Sequence, residues 1–209
     1  MKSQARMVHW FVWGFLGFVI LSIAAVFFSS LLLQRARPLP SYGDVPSFHL
    51  LDQSGRPFSL TDLQGKIWVA DLIFTRCSGP CLEMTRQMKA IEEALSNDAR
   101  FALVSLTADP TYDTPAVLQE YARRFGVNGG NWHFLTGSKD EIYALATKGL
   151  KLAFQDNPDP KPSEDALIHS TRFVLVDGRG QLRSVSFDGT EPGTVAKVVA
   201  AAERLAREK

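Results

Sequence analysis

Two cysteines stand four residues apart in Cys77-Ser78-Gly79-Pro80-Cys81, and they are the only two among 209 residues. Residues i and i+4 share one face of a helix. Their Cα atoms then lie about 6 Å apart, within reach of a disulfide. The same spacing lets two sulfurs converge on one ion at about 2.3 Å. The pair sits where an apolar strand hands over to a helix, and the positive end of a helix stabilises thiolate. Thiolate is both the redox nucleophile and the metal ligand. Three states are therefore open to the pair: dithiol, disulfide and metal complex. As a purely structural disulfide it would close a very short loop and constrain little of the unfolded chain. Thiol–disulfide enzymes more often carry two residues between their cysteines. Here there are three, which shifts the weight toward a metal. Two soft thiolates select a soft ion, with Cu(I) the leading candidate outside the cytoplasm.

Two sulfurs need a third donor, and the chain holds four histidines. His9 lies on the far side of an apolar stretch, or in its interface. His49 and His133 fall in predicted strands and read as ordinary sheet residues. His169 stands just before another predicted strand, in the loop entering it at the end of the sheet that carries the cysteine turn. It is the expected third ligand. Asp109 and Asp113 offer oxygens that would suit Cu(II), but they read first as loop and capping residues. Met84 and Met88 recur with Ile91 and Leu95 at helical spacing and read as core rather than as thioether ligands.

The elements that must position these groups follow from periodicity. Phe48 to Leu51 and Pro57 to Leu60 read as a hairpin around Asp52-Gln53-Ser54-Gly55. Lys66 to Phe74 is a central strand, rich in β-branched and aromatic residues, and a helix follows to about Leu95. Phe101 to Leu106 is a second buried strand. Thr114-Pro115 opens a helix, with Thr as cap and Pro at the first helical position. Trp132 to Leu135 is a strand and Lys139 to Lys148 a helix, and Leu150 to Leu167 is irregular, with Pro158, Pro160 and Pro162. Thr171 to Val176 and Leu182 to Ser186 form a hairpin, and Thr194 to Arg207 closes as a helix. This order predicts an α/β domain: a thioredoxin-like mixed central sheet flanked by helices, preceded by an N-terminal hairpin.

Ahead of that domain, Trp10 to Leu33 is a run of 24 residues without a charge. As a helix it spans roughly 36 Å, more than the ~30 Å hydrocarbon core of a bilayer. It exceeds the usual apolar region of a signal peptide, so residues 1–33 are expected to form a tail and an uncleaved transmembrane anchor. Residues 34–46, with Pro38, Pro40, Gly43 and Pro46, read as a linker, and 47–209 as the folded domain. The expected place is a bacterial inner membrane, crossed once by residues 10–33, with the domain facing the periplasm. With 45% hydrophobic and 22% charged residues, disorder and collagen are excluded. Two cysteines exclude a disulfide-rich scaffold. A net charge of +1 argues against a nucleic-acid partner.

Three segments together resemble a known family: Phe74-Thr75-Arg76-Cys77-x-x-x-Cys81, then Thr107-Ala108-Asp109-Pro110-x-x-Asp113-Thr114-Pro115, then His169-Ser170-Thr171. They are similar to the Sco/SenC copper chaperones, and the likeness covers about residues 45–205 and the anchor. What the resemblance implies is a membrane-anchored thioredoxin-like domain that binds copper through Cys77, Cys81 and His169. It also implies service in assembling the dinuclear copper site of cytochrome c oxidase. The implied partners are the oxidase subunit carrying that site, a copper donor protein and a thioredoxin-like reductant. Two positions depart from the family pattern. Leu82 replaces a proline after the second cysteine, which bears on how the helix starts. Ile168 replaces an aspartate before the histidine, removing an acceptor that would orient the imidazole. Neither removes a ligand. The alternative reading is an extracytoplasmic thiol–disulfide reductase with Cys77 and Cys81 as its redox pair, which would not need His169. A peroxidase and a redox or copper sensor are weaker readings.

Overall fold

In the computed structural model the chain divides into two units, residues 1–38 and 39–209. The structure describes residues 2–36, 38–77, 79–127, 130–156 and 167–208. The first unit is one helix, α1 (Lys2–Ala36). Its window Trp13–Ser30 has a mean hydropathy of 2.0, long and apolar enough to cross a membrane. Serine hydroxyls inside that window are satisfied within the helix: Ser22 donates to the Phe18 carbonyl at 2.9 Å, Ser29 to Val26 at 2.9 Å and Ser30 to Phe27 at 2.7 Å. A helix in hydrocarbon must bury its polar groups this way, because no water is there to accept them.

The second unit is built on two strands with no exposed face. Strands β3 (Ile67–Ile73) and β4 (Phe101–Thr107) are buried at every position, as near-continuous apolar runs require. Helix α2 (Pro80–Leu95) carries the chain from one to the other, and β3 and β4 are parallel in register Ile67 with Phe101 through Ile73 with Thr107. Strand β5 (Trp132–Leu135) adds parallel to β4 after helix α3 (Pro115–Arg124). Strands β8 (Arg172–Val176) and β9 (Leu182–Asp188) complete the other side antiparallel, giving the order β5-β4-β3-β8-β9. The closing helix α5 (Thr194–Leu205) packs against α2. Helix α3 is tied to α2 by a 2.8 Å contact between the Tyr121 and Thr85 hydroxyls. The expected thioredoxin-like mixed sheet with flanking helices is therefore present.

The hairpin of β1 (His49–Leu51) and β2 (Pro57–Ser59) turns where expected. Asp52 makes the turn: its Oδ1 accepts from the Ser54 amide, the Ser54 hydroxyl and the Arg56 amide. Helix α4 (Lys139–Ala144) is shorter than expected, because Leu145–Gly149 continues as a single π-type turn. The stretch Leu150–Leu167, expected to be irregular, instead contains β6 (Phe154–Asp156) and the start of β7 (Leu167–His169), which pair antiparallel with Phe154 opposite His169. Pro158, Pro160 and Pro162 lie outside the described residues.

Within the stretch read as a linker, the chain is bonded to the domain from Leu39 onward. Tyr42 and Val45 amides donate to Leu182 and Gly180 carbonyls at 2.8 Å, and the Leu182 amide donates to Gly43 at 2.9 Å. Val45 is buried. Arg183, buried, grips this segment too: its guanidinium donates to the Leu39 carbonyl at 2.7 Å, to Asp177 at 2.7 Å and to Glu208 at 2.5 Å.

Candidate metal centre

Strand β3 leaves the sheet at Ile73, and the four residues that follow are held by the β4–α3 loop. Buried Asp113 is the anchor. It accepts from the Thr75 amide at 3.1 Å, from the Thr75 hydroxyl and from the Thr107 hydroxyl at the end of β4. Burial nevertheless pushes the Asp113 carboxyl above the usual range, against these hydrogen bonds. Arg76 is fixed outside the turn, pairing with Asp109 at 2.6 Å and lying over the Tyr112 ring at 4.2 Å. Both aspartates thus do loop work, as expected from the sequence. The turn closes with the Cys77 amide donating to the Phe74 carbonyl at 3.2 Å.

Pro80 then sits in the first turn of α2, where its missing amide proton costs nothing. Cys81 follows, fully buried, while Cys77 at the mouth is 6% exposed. Met84 and Met88 below them are fully buried core, as expected. From the separate two-stranded ladder of β6 and β7, β7 delivers His169. Its Nε2 lies 2.9 Å from Cys81 Sγ. One ligand atom from each of Cys77, Cys81 and His169 lies within 4.8 Å of the others, which suits convergence on one ion after small adjustments. Among the described residues no other group of three such side chains meets this test.

Among the described side chains, His49 and His133 do not join this cluster. His49 is exposed on β1, and its amide donates to Glu141. His133 on β5 packs on the Phe58 ring at 4.5 Å, and burial holds its pKa below the ordinary value. His9 lies in α1.

The imidazole of His169 is oriented. Its Nδ1 lies 2.9 Å from the Ser170 carbonyl, which can only accept, so Nδ1 carries the proton. In the neutral ring Nε2 then keeps its lone pair, aimed at the sulfurs. Phe74 meets the ring edge-on, with centroids 5.5 Å apart. A backbone carbonyl therefore does what an aspartate at position 168 would do. Carbonyl acceptors carry no side-chain signature, so nothing in the residue pattern marks this one.

The two thiols differ electrically. Cys77 is held down to about 5, first by its hydrogen bond with Cys81, then by His169 and the amides of Gly79 and Cys81, against the opposing effect of burial. Cys81 is pushed up, by sharing its proton with the Cys77 thiolate and by burial. The pair is not joined as a disulfide. It gives up one proton at the mouth readily and holds the second inside.

One charged residue near this centre went unread in the sequence. Asp71 stands in the middle of the apolar run of β3 and is fully buried. A carboxylate inside such a run was the available signal.

These features have relatives. The family model for SCO1/SenC matches residues 40–204. The chain belongs to the SCO1/SenC family. It is 34% identical over 150 residues to the SCO1 protein homolog of Bacillus subtilis, covering 71% of this chain and 75% of that protein. It spans 48% and 47% of two yeast mitochondrial relatives, SCO2 and SCO1. Among solved structures, BsSco, described as a member of the Sco family of cytochrome c oxidase assembly proteins, superimposes with a TM-score of 0.69 at 29% identity. That match covers 83% of this chain and all of the other. Yeast Sco1 with copper bound matches with a TM-score of 0.61 at 30% identity, over 81% and 96% of the two chains. In this SCO1/SenC chain the β3–α2 turn and the β7 histidine form a donor set of two sulfurs and one imidazole, the chemistry that favours copper.

Proposed function

We propose that this protein is a membrane-anchored copper metallochaperone that binds copper through Cys77, Cys81 and His169 and helps assemble the copper site of cytochrome c oxidase. The observation that carries the reading is the convergence of those three side chains, one with its lone pair already fixed by Ser170. The copper-bound yeast relative and the oxidase-assembly family of BsSco support it. Cu(I) is the soft ion that two thiolates favour. Cargo would pass by exchange of one ligand at a time, with Cys77 at the mouth offering the first position for a client donor. The partners are the copper-bearing subunit of the oxidase, a copper donor and a thioredoxin-like reductant that keeps both thiols reduced. Helix α1 anchors the chain in the bacterial inner membrane, with the domain in the periplasm.

The test is anaerobic copper titration of the reduced full chain in detergent, with X-ray absorption to count ligands. One copper per chain with two sulfurs and one nitrogen is expected. His169→Ala weakens binding by at least the ~10–100-fold that loss of a supporting partner costs, and Cys77→Ser or Cys81→Ser weakens it more. Unchanged affinity in His169→Ala defeats the three-ligand reading.

The low-lying Cys77 thiol favours a second reading, a thiol–disulfide reductase. Cys77 thiolate would attack a client disulfide and Cys81 would displace the client as thiol, leaving Cys77 and Cys81 oxidised. Full reductase activity in His169→Ala, without copper binding, would favour it.

A further inference from the structure

Asp71 has no role in the ligand set, yet its surroundings are unusual for a carboxylate. It is fully buried in the middle of β3, and among the described residues neither carboxyl oxygen has a hydrogen-bond partner. Ser105, opposite it in the β3–β4 register, is near enough to pull the Asp71 carboxyl down but makes no hydrogen bond of proper geometry to it; the Ser105 hydroxyl accepts from Trp132 Nε1 at 3.0 Å. Strand β8 on the other side presents buried apolar residues, Phe173 to Val176. The titratable groups whose charge acts on or feels Asp71 are His169 of β7, Cys81 of α2 and Tyr121 of α3. Two of those three belong to the copper-binding set. Among the described residues no cation pairs with Asp71. Burial pushes its carboxyl up to about 7.

We propose that Asp71 sets which oxidation state of copper the centre prefers, its buried carboxylate favouring Cu(II) relative to Cu(I). The inference rests on the copper-binding reading above. Two thiolates and a neutral imidazole carry two negative charges. With Cu(I) the complex is singly negative, and with Cu(II) it is neutral. A nearby unpaired carboxylate in a medium of low polarity repels the first more than the second. Asp71 touches neither sulfur by hydrogen bond and so acts through space on ligands placed by other residues.

The test compares the wild-type chain and Asp71→Asn, full length in detergent, each loaded with one equivalent of copper. Spectroelectrochemistry at pH 8.5 and pH 5.5 reads the Cu(II)/Cu(I) potential. At pH 8.5 the variant is expected to favour Cu(I) about tenfold more, a rise of about 59 mV for one electron. At pH 5.5, where Asp71 is neutral, the two potentials coincide. A packing defect in the variant would persist at both pH values. Equal potentials at pH 8.5 overturn the proposal, and so does a difference of the same size at pH 5.5. Should Asp71→Asn not fold, Asp71→Ser is measured in the same way: a raised potential at pH 8.5 supports the proposal, and a potential equal to that of the wild type overturns it. Copper bound normally with no dependence on Asp71 defeats this inference alone. Failure of the wild-type chain to bind stoichiometric copper defeats the copper reading and this one with it.

Discussion

At the scale of single residues, the Cys77 thiol is poised for exchange, whereas the buried Cys81 thiol is not. With Cys77 down to about 5, its thiolate dominates at neutral pH. Alkylation of the reduced, copper-free chain, followed by mass spectrometry across pH 4–9, should label Cys77 first, with half-maximal rate near pH 5. The sign follows from the reacting form: the thiolate is lost as pH falls through that value. Removing Cys81, the largest cause, should move the midpoint upward in Cys81→Ser. An unshifted midpoint would show that the helix amides and His169 suffice. The position of His169 beside the cysteine pair was legible in the sequence because the other three histidines had plainer homes. The Ser170 carbonyl was not legible, since any residue at that position supplies the same oxygen.

At the scale of elements, the β4–α3 loop holds the start of the cysteine turn. Asp113 supplies the contact, joining Thr107 at the end of β4 to Thr75 after β3. Asp113→Ala strands the Thr75 amide and both hydroxyls. A buried donor left without a partner costs about 1–3 kcal/mol, and a loosened ligand turn costs about tenfold in metal affinity. Chemical unfolding and copper competition titration of that variant measure the two effects. Copper affinity unchanged alongside a clear loss of stability would show that the turn is held by α2 alone. The larger elements were legible because continuous apolar runs mark β3 and β4, and because Thr114-Pro115 marks the start of α3. The β6–β7 hairpin was not, since each strand has three residues, too few for any periodicity to register. The attachment of residues 39–45 was hidden by Pro38, Pro40 and Gly43. They describe an extended chain correctly but say nothing of its backbone pairing with β9.

At the scale of the whole domain, a buried ion cluster joins distant parts of the sequence. Arg183 on β9 meets Asp177, Glu208 and the carbonyl of Leu39, and the Leu39 amide donates to Glu208 at 2.9 Å. Removing one member of a buried pair costs about 3–5 kcal/mol, because the partner charges stay behind. Arg183→Ala should lose about that much in denaturant unfolding of the full chain while keeping one copper per chain. A loss below about 1 kcal/mol would show that water replaces the guanidinium, as it does for exposed pairs.

The same cluster has a bearing on biosynthesis. Leu39 is made early and Glu208 nearly 170 residues later. At about 5–20 residues per second, the ribosome leaves Leu39 without its carboxylate partner for roughly ten to thirty seconds. During that interval the same stretch also lacks its other partners, the backbone of residues 180–182 and the guanidinium of Arg183, and those too are late. Chain truncations or stalled translation products ending before Glu208 should therefore expose this stretch to proteases, even when the central strands have already folded.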